Sequence, residues 1–176
     1  ESPAGRFRGP SGAIGRNERA HGGCGSFNVL TSMADTVKFQ HFEVLRKEDG
    51  GLYELGRGAM GITYKAFDTN LRCHVALKVI KSAYLNSETA RQRFLREARA
   101  AAALRHPNVA TVFHLGREED NYFYAMEFVD GLTIDRWLAA APRSWRDVLN
   151  VFLAAGRGLA AAHAAGIVHR DFKPQN

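Results

Sequence analysis

In the stretch LGRGAMGITYKA, residues 55–66, glycines stand at 56, 58 and 61, and Ile62, Thr63 and Tyr64 follow at once. A dinucleotide fold needs this G-x-G-x-x-G pattern between a strand and a helix. Here the β-branched and aromatic run after Gly61 reads as a second strand, so the glycines belong to the tip of a β-hairpin. Glycines at this spacing let backbone N–H groups approach phosphate oxygens with no Cβ in the way, and they serve a tight hairpin with no ligand equally well. If the loop binds a ligand, it does so as a flap.

The segments around it define the class. LYELG, ITYKAFD and HVALKVI read as three strands, with DTNL as the turn between the second and third. NSETARQRFLREARAAAALRHPN reads as a helix capped by Asn86 or Ser87, with Pro107 beyond its end. ATVFHLGRE and YFYAMEF suggest two more strands around a polar turn at Glu119, Asp120 and Asn121. After FVDG the pattern turns helical: LTIDRWLAA forms a short helix and SWRDVLNVFLAAGRGLAAAHAAG a long one. Ser144 and Asp147 open the long helix as a capping box, and Gly166 closes it. Its Trp145, Leu149, Phe152 and Leu159 fall close to one face, with no later segment to cover them. The expected class is α+β: a strand-rich lobe with one long helix, then a helical part.

Composition narrows the functional classes. A net charge of +6 is compatible with nucleic acid, an anionic surface or a phosphorylated ligand, but arginines scattered over solvated faces account for it equally. No nucleic-acid partner is expected. Two cysteines, Cys24 and Cys73, cannot build a disulfide framework or a four-ligand zinc site, which points to a reducing cytoplasm. The apolar run 151–168 is broken by Arg157 and His163, so no membrane segment is expected. Residues 1–34, with seven glycines, two prolines and four arginines, are expected to be a structureless lead. ESPAGRFRGP has neither an initiator methionine nor the apolar core of a signal peptide, so both ends of the chain are expected to be cut.

Two further stretches carry chemistry. In VALK, Lys78 interrupts an apolar strand; it either snorkels to the solvated face or lies under the glycine flap, where its ammonium would need a carboxylate such as Glu97. In HRDFKPQN, Asp171 can receive or orient a hydroxyl proton, Lys173 can neutralise a transferring phosphoryl group, and Asn176 offers an amide oxygen to a hard cation. His169 suits a structural hydrogen bond and Arg170 an ion pair.

In this order, the glycine hairpin, V-A-L-K, a helical Glu and H-R-D-x-K-P-x-N resemble the eukaryotic-type Ser/Thr protein kinase family, in its bacterial style, from about residue 52 to the last. The resemblance implies a small antiparallel β lobe with an αC-type helix and hinge (35–128). It also implies the first helices of a large lobe (129–176), with ATP and Mg²⁺ in the cleft. It makes Leu55, Gly56, Arg57, Gly58, Ala59, Met60 and Gly61 the phosphate flap and Thr63 and Ala76 the walls of the adenine pocket. Met126 would be the gatekeeper, ahead of a hinge at Glu127, Phe128 and Val129. It makes Lys78 the ligand of the α- and β-phosphates paired to Glu97, Asp171 the base, Lys173 a γ-phosphate contact and Asn176 a Mg²⁺ ligand. Lysine at 173 favours Ser or Thr acceptors on a protein substrate.

Thr63 and Phe172 depart from the commoner Val and Leu, changes of packing rather than of chemistry. The 176 residues contain no D-F-G and no A-P-E, so this piece alone is expected to be inactive. A scaffolding pseudokinase would usually show damage at one of these positions and none is seen, though the D-F-G aspartate is not among them. A small-molecule phosphotransferase would usually carry Gly where Arg170 stands.

Overall fold

The hairpin around the glycines is the start of a seven-stranded antiparallel sheet. In the computed structural model, which describes residues 36–175, the strands are β1 (Lys38–Phe39), β2 (Phe42–Val44), β3 (Glu54–Arg57), β4 (Gly61–Asp68), β5 (Cys73–Ile80), β6 (Val112–Glu118) and β7 (Asn121–Glu127). They run in the order β1-β2-β4-β5-β7-β6, with β3 added on β4. Helices α1 (Glu88–Ala103), α2 (Ile134–Ala140) and α3 (Trp145–Ala164) complete the described chain, with one 3-10 turn at Ser82–Leu85. The lead expected at 1–34 and the cation ligand expected at Asn176 lie outside the described residues.

The α+β class holds, with two additions. Strands β1 and β2 stand ahead of the first strand expected from the sequence. They are only two and three residues long, too short for a period to register, and Phe42 and Val44 enter the core by pairing with the far end of β4. The strand expected from Leu52 begins two residues later, at Glu54. Lys47–Gly51 form a tight loop just before it, with Gly50 at φ 81° and the Lys47 amide donating to the Gly51 carbonyl at 2.8 Å.

The core lies on one face of the sheet, where Phe42, Val44, Ala66, Val75, Leu77, Val79, Phe123 and Ala125 are buried together. Gly61 is required by close approach: a Cβ there would sit 2.0 Å from the Val79 carbonyl oxygen of the neighbouring strand. Both long helices are capped as their sequences foretell. Ser87 Oγ accepts the Ala90 amide at 3.1 Å, and Ser144 Oγ accepts the Asp147 amide at 3.1 Å while donating to the Asp147 carboxylate at 2.7 Å. Helix α3 ends in a Schellman-type turn, with Gly166 at φ 74° and the Ile167 amide on the Ala162 carbonyl at 2.9 Å.

Candidate active site

The face of the sheet opposite the core gathers the residues that the hairpin made suspect. Residues directly opposite one another in an antiparallel pair share a face. The register Thr63↔Lys78↔Tyr124 gives one row across β4, β5 and β7, and Lys65↔Ala76↔Met126 gives the next. Gly56 pairs with Thr63, so the glycine hairpin continues the first row, and the Gly58 amide closes it by donating to the Gly61 carbonyl at 2.9 Å. Thr63, Ala76, Lys78 and Met126 are thus brought together on one surface.

The three glycines separate into two kinds. Gly61 is fixed by its packing against β5, whereas a Cβ on Gly56 or Gly58 would meet nothing within 4 Å. No neighbour within the described residues excludes a side chain at those two positions. They leave a bare backbone facing open space, the arrangement that lets N–H groups come close to an anion. Arg57, between them, turns back to Glu54, its Nε donating to the carboxylate at 3.1 Å.

Where β7 runs out, the Glu127 amide is taken by the Thr111 carbonyl at 2.8 Å, and no backbone hydrogen bond is formed by Phe128 or Val129 among the described residues. Val129 is 68% exposed. The expected hinge therefore offers unpaired backbone donors and acceptors beside the Lys65–Ala76–Met126 row.

The expected Lys78–Glu97 ion pair is not formed. The Lys78 ammonium lies over the Tyr124 ring, 5.9 Å from its centroid, and Glu97 on α1 accepts from Arg170 at 3.2 Å. Arg170 sits in a γ-turn with φ 62°, closed by the Asp171 amide donating to the His169 carbonyl at 2.8 Å. That strained turn accompanies a guanidinium reaching α1. Around this contact lies a cavity of about 330 Å³ lined by Arg96, Glu97, Ala100, Ile167, Val168 and Arg170, among others.

Asp171 and Lys173 hold each other at 2.9 Å, both exposed. One anchor of this loop had no signal in the sequence. The Asp135 amide at the start of α2 donates to the Pro174 carbonyl at 3.2 Å. The Thr133 hydroxyl donates to the Asp135 carboxylate and keeps that carboxyl below its usual range. Only a fold that brings α2 beside the loop reveals it.

Residues 51–176 match the model of the protein kinase domain family, and the chain belongs to that family. It is 36% identical over 138 residues to the serine/threonine-protein kinase PrkC of Bacillus subtilis, covering 76% of this chain and 21% of that protein. It is 39% identical over 136 residues to the serine/threonine-protein kinase PknA of Mycobacterium tuberculosis, covering 72% of this chain and 32% of that protein. Among solved structures, the Mycobacterium tuberculosis PknI kinase domain superimposes with a TM-score of 0.65 at 32% identity, over 82% of this chain and 57% of that one. The chain thus spans between a fifth and a third of the length of these curated relatives. The bacterial style of the resemblance is borne out. No helix among the described residues is long and apolar enough to cross a membrane.

Proposed function

We propose that this chain supplies the nucleotide-binding lobe and catalytic loop of a protein kinase that transfers the γ-phosphoryl group of ATP to Ser or Thr hydroxyls of protein substrates. The observation that carries the reading is the single surface on which Lys78 and Thr63 continue a hairpin whose Gly56 and Gly58 face open space. Backbone N–H groups from Gly56 to Gly61, with Leu55, Arg57, Ala59 and Met60, would bracket the phosphates. The Lys78 ammonium would move from Tyr124 onto the α- and β-phosphates. Ala76 and Met126 would wall the adenine, and the free backbone of Phe128 and Val129 would hydrogen-bond its edge.

In this reading Asp171 accepts the proton of the attacking hydroxyl, and Lys173 leaves Asp171 for the γ-phosphoryl oxygens. Glu97 exchanges Arg170 for Lys78, a swap between two partners that the exposed Arg170 contact, 67% and 48% accessible, permits at small cost. A divalent cation would neutralise charge on the β- and γ-phosphates. Among the described residues no group of three or more His, Cys, Asp or Glu side chains could hold one. Asn176 is its proposed ligand.

Phosphoryl transfer rests on positioning and electrostatic stabilisation. Without D-F-G or A-P-E, the 176 residues alone are expected to bind nucleotide and transfer little or no phosphate. Lys78→Met in the full-length protein is expected to abolish transfer to a Ser/Thr substrate and to weaken binding of a fluorescent ATP analogue. Undiminished transfer would falsify the role of that lysine.

A further inference from the structure

The two ends of the sheet path, β1–β2 and β6, are tied through side chains, and a histidine makes the tie. Gln40, at the β1–β2 turn with φ 54°, donates from Nε2 to the Arg117 carbonyl at 3.3 Å, and its Oε1 meets His114 Nε2 at 2.9 Å. Because the amide nitrogen is committed to a carbonyl, Oε1 is the acceptor and His114 Nε2 carries the proton. The His114 ring stacks on Phe123 at 6.0 Å, leans on Phe42 at 5.4 Å and meets the edge of His41 at 5.3 Å. His41 Nε2 stands 3.6 Å from Asp68 Oδ2. The Asp68 carboxylate, on a residue only 2% exposed, also accepts the Asn70 and Leu71 amides at 2.9 Å each.

We propose that His114 is a proton-sensitive latch: as a neutral donor it holds the β1–β2 hairpin against β6, and taking up a second proton releases the hairpin. That proton would go to Nδ1, for which no described residue supplies an acceptor, and would place a cation among aromatic rings beside another imidazole. The charged and titratable groups facing His114 are His41 from the β1–β2 turn and Asp68 from β4. On β6 itself, Arg117 is turned to the Glu119 carbonyl and Asp120, and on the hairpin Lys38 and Glu43 pair with each other at 2.8 Å. Burial lowers the affinity of His114 for a proton below the ordinary histidine value of 6.5, His41 lowers it further, and Asp68 opposes both. With the folded value depressed, the released state binds more protons. The latch therefore contributes fully above 6.5 and weakens as pH falls below it.

His114 lies inside the segment that matches the kinase family, whereas the β1–β2 hairpin that it holds lies ahead of that segment, yet the hairpin reaches the cleft. β2 pairs with the Ala66–Asp68 end of β4, and the other end of β4 is the glycine hairpin. The test is hydrogen-exchange protection in the 176-residue chain at Val44, whose amide bonds the Val37 carbonyl, and Leu45, whose amide bonds the Lys65 carbonyl. Protection is followed from about pH 7.5 down to about 5.5, the range in which histidine titrates. His114→Gln keeps an N–H donor for Gln40 and cannot take up a proton. Wild-type protection is expected to drop several-fold across that range while the variant stays flat; equal slopes in both, or no drop in the wild type, overturns the latch. NMR titration of the His114 ring tests the same idea with no variant at all, since a midpoint at or above the ordinary histidine value also overturns it.

Discussion

The sheet and the helices after it are built to different degrees of closure. Among the described residues every buried apolar side chain lies between Phe42 and Ala125, and in α2 and α3 only Gly158 is buried. Trp145, Leu149, Phe152 and Leu153 of α3 are each at least 40% exposed. The sheet makes its own core because β5 is buried along most of its length and Phe42 and Phe123 pack together in that core, their rings 5.9 Å apart and steeply tilted. Helix α3 is capped at both ends and approaches the Asn108 backbone closely at Gly158. The surface beside the glycine hairpin is therefore held by packing, whereas the loop bearing Asp171 rests on polar anchors to α1 and α2.

Two truncations probe this contrast with the largest expected effect. Phe123→Ala removes a fully buried ring and is expected to cost about 3–5 kcal/mol. Phe152→Ala, on the exposed face of α3, is expected to stay within about 1 kcal/mol. Equal costs in urea denaturation would abolish the distinction.

A second pair divides the glycines. Gly61→Ala drives a Cβ into the β5 backbone and is expected to destabilise the sheet by about 2–4 kcal/mol, because backbone cannot give way as a side-chain tip can. Gly58→Ala meets open space and is expected to leave the melting temperature nearly unchanged while weakening nucleotide binding. If Gly58→Ala melts as early as Gly61→Ala, the flap is a packed element rather than an open one.

The smallest effect belongs to the loop anchor. Arg170→Met is expected to cost no more than about 1 kcal/mol, and less at high salt, because both partners are exposed. A double-mutant cycle with Glu97→Gln isolates the pair, and a coupling well above that range would show the loop to be as firmly held as the sheet.

Local signals in the chain specify its caps and turns. The strand after Gly61 excluded a dinucleotide fold, the pair Asn86 and Ser87 and then Ser144 marked the helix starts, and Gly166 marked a helix end, because caps and turns are decided by neighbours within a few residues. Strands β1 and β2 were missed because their evidence is non-local: Phe42 reads as strand only once Asp68 stands opposite it. The Arg170 contact of Glu97 is non-local in the same way, since Arg170 lies 73 residues downstream.

Short-range patterns were thus enough for the α+β order of elements, the glycine hairpin, and the residue types that define a protein kinase domain. Tertiary contacts settled which glycine packs and which stays open, which cation holds Glu97, and that a histidine ties the ends of the sheet. Each of those depends on where distant backbone and charge come to rest, and on which of two competing contacts is nearer.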